Sequence, residues 1–176
     1  MNNKLKKEEK EEKDIKAKEI LDYPNPFKIR GFEVVDEKFV KNDLETKLPT
    51  RGSEKSAGYD FYSKENVIIL PGKSHLFWSD IKAYMLPGEV LEMYVRSSIG
   101  IKKDLILKNL VGIIDQDYYE NLSNDGNIGI ALYNIGDKEQ TIEIGERIAQ
   151  GIFKRFLEAD GIVCEEKRTG GIGSTN

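Results

Sequence analysis

The stretch from Asp104 to Asn134, DLILKNLVGIIDQDYYENLSNDGNIGIALYN, decides how the chain is built. It opens on an apolar run, Leu105 to Ile114, and returns through a second apolar run, Ile128 to Tyr133. Short apolar runs that are rich in β-branched residues are typical of strands, and Asn-Asp-Gly between two such runs is a hairpin signal. The pattern therefore predicts a β-hairpin.

Polar side chains interrupt the apolar part of this predicted hairpin. Asn109, Asp115, Asp117 and Tyr118 lie inside it or at its edge. A buried carboxylate or amide has to be hydrogen-bonded, because burial without a partner is costly. Two interpretations follow. Either Asp115 and Asp117 cap backbone amides in a tight turn, or the polar groups form a functional site on a rigid hairpin.

Strand signals also dominate the rest of the chain. From Phe27 onward, short β-branched and aromatic runs are separated by turns such as Pro71-Gly72 and Pro87-Gly88. One or two helical turns are expected near Arg96 to Lys103. Many short strands with few helical windows are typical of an all-β sandwich or barrel. We therefore predict one all-β domain over residues 27–166, which suits a chain of 176 residues.

Both ends of the chain differ from this domain. Residues 1–26 are rich in lysine and glutamate and have almost no apolar face, so the extension is expected to be a solvated helix or disordered. Residues 167–176 end in GGIGSTN. This segment is either a flexible tail or a glycine-rich arm whose backbone N–H groups bind an anion.

Composition excludes several classes of function. The net charge is -4 and 33% of residues are charged, so there is no basic surplus for binding nucleic acid. No apolar run approaches the roughly 18 residues of a membrane span, and no hydrophobic segment follows the charged N-terminus. We therefore expect a cytoplasmic protein without a membrane partner. The lone Cys164 and the lone His75 are expected to be structural.

Five short segments together carry the functional signal: Ala57-Gly-Tyr-Asp-Phe61, Arg96-Ser97-Ser98, Asn109 to Tyr118, Gly145-Glu-Arg-Ile-Ala-Gln150, and the glycine tail with Arg168 ahead of it. In this order and at these spacings the set resembles the five motifs of the trimeric dUTP pyrophosphatase (dUTPase) family, in its bacterial and phage-type branch. The resemblance covers the chain from about Phe32 to Thr175.

The resemblance implies a fold, an assembly and a reaction. The fold is all-β and jelly-roll-like. The assembly is a homotrimer with active sites at subunit interfaces, in which the C-terminal arm of one subunit closes another's site. The reaction is the Mg²⁺-dependent hydrolysis of dUTP to dUMP and pyrophosphate, which limits uracil in DNA and supplies dUMP for dTMP synthesis.

The resemblance also assigns roles to individual residues. Asp115 would orient and deprotonate the water that attacks the α-phosphorus, and Asp60 would contact waters of the bound Mg²⁺. Tyr118 would pack under the deoxyribose. The remaining substrate-binding residues would face the base or the phosphate chain, and they are Arg96, Ser97, Ser98, Asn109, Gly112, Ile113, Ile114, Gly129, Gln150, Arg168, Ile172, Gly173, Ser174 and Thr175.

Three features depart from the family pattern. Ile172 stands where the family places a phenylalanine that stacks on the uracil, so the base is covered by an aliphatic side chain or by another aromatic such as Tyr119. Arg168 lies one residue closer to the glycine pair than usual and leaves Lys167 at the usual position, so either residue could meet phosphate. The loop Tyr119–Asp125 is about half a dozen residues longer than a minimal turn, and it is a lid, a partner-binding surface or a neutral insertion.

Two alternatives compete with a simple dUTPase. The dCTP deaminase family shares the fold and an Arg-Ser-Ser segment, but its pattern places a catalytic glutamate where this chain has Ala131. A dUTPase that also binds a protein partner in a nucleotide-responsive way, through the 119–125 loop or the N-terminal extension, is compatible with the sequence.

Overall fold

The computed structural model describes residues 28–161 and 170–171, so the N-terminal extension, Cys164 and most of the glycine tail lie outside the described residues. The described part contains one α-helix, α1, at Ser97–Lys103, and two 3-10 turns, Glu37–Phe39 and Gln116–Tyr118. Its strands are β1 (Gly31–Val34), β2 (Thr50–Arg51), β3 (Tyr59–Tyr62), β4 (Val67–Ile69), β5 (Ser74–Trp78), β6 (Ile81–Tyr84), β7 (Glu89–Val95), β8 (Leu105–Leu107), β9 (Gly112–Ile114), β10 (Gly129–Asn134), β11 (Gln140–Ile142) and β12 (Arg147–Arg155). The all-β prediction and the short helix after Arg96 are confirmed.

The strands form a five-stranded sheet in the order β2-β3-β12-β7-β9 and a three-stranded sheet in the order β5-β10-β8. Two further pairs are β1 with β6 and β11 with β4, and all pairs are antiparallel. Alternating side chains of the strands meet in one apolar core. On β10, for example, Ile130 and Leu132 are buried and pack in that core, while Ala131 between them is not buried.

Both predicted Pro-Gly turns are confirmed. Gly72 and Gly88 have positive φ angles of 67° and 76°, which glycine adopts without a steric penalty. The Lys73 amide donates to Leu70 O and the Glu89 amide donates to Leu86 O, so each turn is closed by an i→i+3 bond with proline at the second position. These turns reverse the chain between strands of different sheets.

The predicted hairpin is confirmed in its outer part, where Leu105–Leu107 pairs with the second run, and is wrong for Gly112–Ile114. The first apolar run is two strands, because the chain turns at Leu107–Val111, where the Leu110 amide donates to Leu107 O. β8 pairs with β10, whereas β9 pairs with β7 in the five-stranded sheet. One apolar run therefore contributes to two sheets, and the polar residues that interrupt it mark the crossing point.

The Asn-Asp-Gly sequence does form a turn. Asp125 and Gly126 have φ angles of 57° and 82°, and the Asn127 amide donates to Asn124 O across 2.9 Å. Positive φ at both central residues is the geometry that favours Asn, Asp and Gly. The turn leads into β10 but does not join two strands that pair with each other.

A buried carboxylate ties three loops to the sheets. Asp80 is fully buried and lies 2.7 Å from the Lys64 ammonium. It also accepts hydrogen bonds from the amides of Lys41 and Asn42 and from the side chain of Asn127. Burial by itself would raise the pKa of Asp80, but these donors outweigh it and hold the pKa below its ordinary value of 3.8.

Asp80→Asn is expected to lower the free energy of unfolding by about 3–5 kcal/mol, because it leaves the Lys64 charge without its counterion. The wild-type advantage is present above about pH 4 and is lost as the pH falls through the lowered folded-state pKa, since the unfolded chain takes up the proton first. Urea unfolding of both proteins at several pH values checks this. The matched change at exposed Asp137 should shift stability by less than about 0.5 kcal/mol.

Among the described residues, no helix is long and apolar enough to cross a membrane.

Candidate active site

A cleft of about 600 Å³ opens where the first apolar run crosses between the sheets. It collects residues from both strands of that run and from β5, β7 and β10, and its lining is Ser74, His75, Leu76, Met93, Leu107, Lys108, Asn109, Gly112, Ile113, Ile114, Asp115, Tyr118, Gly129, Ile130 and Ala131. The predicted base-side residues, the predicted general base and the predicted sugar-side tyrosine therefore share one cavity. A mostly apolar cleft with a few convergent polar groups is the usual form of a small-molecule site.

Asp115 lies at the junction of β9 and the 3-10 turn Gln116–Tyr118. It is the residue before the first turn position, yet its carboxylate makes no capping hydrogen bond to that turn. Its half-buried side chain contributes to the cleft. Asp115 therefore does not cap this turn, and it forms part of the cleft lining.

The wall that carries Asn109 is a tight and strained turn. Leu110 has a φ angle of 63°, a conformation that costs a non-glycine residue energy, and the Val111 amide donates to Asn109 O. Gly112 follows, and a Cβ there would lie 3.0 Å from Met93 Cβ and 3.6 Å from Asn109 Nδ2. A side chain at Gly112 would crowd Met93 on the neighbouring strand β7, so the close packing favours glycine there.

Tyr118 is 5% exposed and contacts both the core and the cleft. Its hydroxyl donates to Asn127 O across 2.8 Å and accepts from Asn124 Nδ2 across 2.7 Å. A phenol whose hydroxyl is held on two sides keeps its ring in a fixed position. The ring is thus a rigid part of the cleft wall.

A second polar cluster lies on the five-stranded sheet. Asp60 is 4% exposed and its two oxygens face two guanidinium groups, Arg96 Nε at 3.0 Å and Arg147 Nη1 at 3.3 Å. Gln150 pairs with Asp60 across β12 and β3. A Cβ on Gly58 would overlap the Gln150 amide, so that side chain packs on the glycine of the Ala-Gly-Tyr-Asp segment. Asp60 therefore orients Arg96 at the start of α1, next to exposed Ser97 and Ser98.

The two clusters are far apart within one chain. Ile114 pairs with Leu91 and Gln150 pairs with Tyr94, so Asp115 and Asp60 differ by about 13 Å along the strands. β9 and β3 are also three strand spacings apart, about 14 Å across the sheet. The structure thus brings the predicted residues together in two groups and not in one.

The structure places Tyr119, one of the residues suggested to cover the base, outside the cleft lining. Tyr119 does not line the cleft, because its hydroxyl donates to Glu33 on β1 across 2.5 Å and its ring lies under the Lys82 ammonium. Burial and the Glu33 carboxylate both raise the pKa of Tyr119, which keeps the hydroxyl a donor. Arg168, Lys167, Ile172, Gly173, Ser174 and Thr175 lie outside the described residues.

Sequence reasoning missed several residues around the cleft. His75 and Lys108 line it, although the first was expected to be only structural. The asparagines of the loop after Tyr118 hold that tyrosine in place, and Arg147 shares Asp60 with Arg96. Asparagine at every third position, Asn121, Asn124 and Asn127, was the available signal for a polar network there.

The described residues do not fit a metal held by the protein alone. They contain no group of three or more His, Cys, Asp or Glu side chains that could hold a metal ion. Asp60, the predicted outer-sphere ligand, is already engaged by two arginines. A carboxylate neutralised in this way is a better anchor for arginine than a ligand for magnesium water.

Comparison with known proteins gives a consistent result. A model of the dUTPase family matches residues 45–175. Deoxyuridine 5′-triphosphate nucleotidohydrolase of Lactococcus lactis is 51% identical over 150 residues, which is 84% of this chain and 98% of that protein. The protein of the same name from Helicobacter pylori strain J99 is 31% identical over 133 residues, which is 73% of this chain and 88% of that protein.

Solved structures agree with these relatives. The dUTPase of Streptococcus mutans is 42% identical, covers 74% of this chain and 99% of its own, and superposes with a TM-score of 0.65. The dUTPase of Staphylococcus bacteriophage 80alpha is 22% identical with a TM-score of 0.60, covers 78% of this chain and 96% of its own, and supports the fold alone.

Proposed function

Because the chain belongs to the dUTPase family, we propose that it hydrolyses dUTP to dUMP and pyrophosphate by attack of an Asp115-oriented water on the α-phosphorus. The observation that carries this proposal is the single cleft shared by Asn109, Gly112, Asp115 and Tyr118. Base recognition and water activation then come from adjacent residues of one structural element.

The base would be recognised mainly by the backbone. β9 is the edge strand of its sheet and lines the cleft, so one row of its N–H and C=O groups is not used in pairing with β7. Uracil presents an acceptor at O4 where cytosine presents an amine donor. A fixed hydrogen-bonding edge therefore rejects cytosine, because the wrong base leaves buried groups unpaired, and such sites discriminate by about 10⁴-fold.

The sugar would lie against Tyr118, whose ring is fixed by hydrogen bonds on both sides of its hydroxyl. A rigid ring close to C2′ leaves no room for a ribose hydroxyl. The same position orients the α-phosphate toward Asp115, and alignment of the reacting groups contributes much of the rate in reactions of this kind.

The phosphates would be held by the second cluster, contributed by a neighbouring subunit. Asp115 and Asp60 are separated by about 13 Å along the strands and about 14 Å across them in one chain, which is more than one triphosphate spans between its α-phosphorus and its terminal groups. Trimers are typical of the family. A trimer that places Arg96, Ser97, Ser98 and Gln150 of one subunit against the cleft of the next would complete the site.

Hydrolysis of the triphosphate would need no covalent intermediate. A carboxylate that accepts a proton from the attacking water and a guanidinium that neutralises the phosphate charge are the two functions required of the chain. Use of Mg²⁺ is typical of the family. Because the described residues offer no cage for it, the ion would bind mainly through the phosphates and water, where it supplies further charge neutralisation.

The C-terminal arm stays a prediction. Its residues Arg168, Ile172, Gly173, Ser174 and Thr175 would cover the bound nucleotide, with Lys167 as the alternative phosphate contact, and all of them lie outside the described residues. Binding of a protein partner through the 119–125 loop also stays a prediction. Most polar side chains of that loop bond inward, although Leu122 at its tip is 87% exposed.

The deaminase alternative is weakened by the cleft itself. Ala131 lines the cleft at the position where the deaminase pattern places its catalytic glutamate. Its side chain is a methyl group, which cannot act as an acid or a base. Two readouts separate the reactions, since a deaminase releases ammonia from dCTP and a dUTPase releases pyrophosphate from dUTP.

Pyrophosphate and ammonia release from dUTP, dCTP, dTTP and UTP, each with and without Mg²⁺, tests the proposed function. We expect pyrophosphate release from dUTP with a kcat/KM about 10⁴-fold above that for dCTP. The reason is that cytosine would leave buried hydrogen-bonding groups of the site without partners. Ammonia from dCTP, or similar pyrophosphate release from all four nucleotides, would contradict the proposal.

A further inference from the structure

The loop that follows Tyr118 is an ordered polar network, and we call its residues Asn121–Asn127 the asparagine loop. Asn121 is 7% exposed, and its Oδ1 accepts from Ser123 N, Ser123 Oγ and Asn124 N at 2.8–3.2 Å. Its Nδ2 donates to Tyr118 O and to Asn124 Oδ1. The side chains of this network are linked by hydrogen bonds, so the loop has a defined conformation.

Asn124 is the member that reaches the cleft wall. Its Nδ2 donates to the Tyr118 hydroxyl at 2.7 Å and to Asn127 O at 3.3 Å. Its Oδ1 accepts from Asn121 Nδ2 at 2.6 Å and from the Gly126 amide at 3.1 Å. An amide with both ends engaged has one orientation, because a flip would place donors against donors.

The same side chain is covered from the other side by the C-terminal glycine pair. A Cβ on Gly171 would lie 2.9 Å from Ser123 Oγ and 3.2 Å from Asn124 Nδ2, and Gly170 is buried. The close approach shows that the glycine backbone packs directly on the asparagine loop. Asn124 is therefore confined between Gly171 and Tyr118.

We propose that Asn124 is a positioning residue that determines sugar specificity, acting through Tyr118. This inference rests on the proposed function, because it concerns the Tyr118 ring that would exclude a ribose 2′-hydroxyl. Contact with an apolar surface rejects a substrate with one extra hydroxyl by only about a hundredfold. Discrimination between UTP and dUTP therefore depends on the exact position of the Tyr118 ring. Asn124 fixes the ring position from the asparagine loop. This residue belongs neither to the five family motifs nor to the apolar core.

Asn124→Asp tests the proposal, because aspartate keeps an acceptor oxygen toward Asn121 and Gly126 but has no N–H to donate to the Tyr118 hydroxyl. The kcat/KM ratio of UTP to dUTP is expected to rise about tenfold, since small displacements of a positioning group have effects of this order or larger. Tyr118→Phe, which removes the hydroxyl and keeps the ring, is expected to raise the ratio similarly. The double variant should be no worse than either single variant.

The matched control is Asn134→Asp, because Asn134 is also buried but donates to Ile69 O and Lys138 O and does not line the cleft. It should lower thermal stability and leave the UTP to dUTP ratio within about twofold. An unchanged ratio in folded Asn124→Asp, or additive effects in the double variant, would overturn the proposal. Failure of the wild-type protein to cleave dUTP would instead overturn the proposed function.

Discussion

Asp115→Asn is expected to lower the turnover of dUTP by at least about a hundredfold, the scale of removing a general base. Asparagine has nearly the same shape but cannot accept the proton of the attacking water. The carboxylate does not cap the 3-10 turn that follows it. Affinity for a non-hydrolysable dUTP analogue should stay within a few fold of wild type, because the base and the sugar contact other residues.

Steady-state kinetics and titration calorimetry on the same preparations check this expectation. The matched control is Asp117→Asn, two residues further along the same turn, exposed and not part of the cleft lining. It should keep turnover within about threefold of wild type, as for a surface substitution. Near-normal turnover in Asp115→Asn would refute the general-base role. A parallel loss in both variants would point to the turn and not to the carboxylate.

Local sequence signals predicted the elements well and the pairings poorly. The Pro-Gly turns were predictable because proline and glycine restrict φ at fixed turn positions, whatever the rest of the chain does. The pairing of Gly112–Ile114 with β7 was not, because strand pairing is a long-range property. β9 bonds to β7 more than fifteen residues earlier in the chain, and no local pattern encodes that choice.

The sequence predicted several residues that line the cleft, but it did not predict how the predicted residues are arranged. The short motifs identify Asp115, Asn109 and Arg96 because each carries a chemically distinctive group. The division of these residues between two corners of one sheet follows from the strand order, which is seen only in the fold. The support for Tyr118 was also missed, because the asparagines of a long loop look the same whether they bond inward or face solvent.

Mixing two inactive variants is expected to restore activity, because the proposed site draws on two subunits. Arg96→Ala should lower turnover by at least about a hundredfold, the scale of removing one preorganised charge partner of the transition state. Asp115→Asn has a comparable defect. In trimers formed from an equal mixture, about a quarter of the sites combine an intact Asp115 from one chain with an intact Arg96 from another.

Activity of the mixture after joint refolding, compared with each variant refolded alone, measures this recovery. Arg155→Ala, an exposed arginine at the end of β12, serves as the control and should be fully active alone. Recovery requires that Asp115 and Arg96 act across an interface, which their separation in one chain favours. If the mixture stays as inactive as its components although mixed trimers are present, both residues serve the same chain's site. The two clusters would then have to approach each other by a rearrangement of the five-stranded sheet, which its continuous pairing from β2 to β9 opposes.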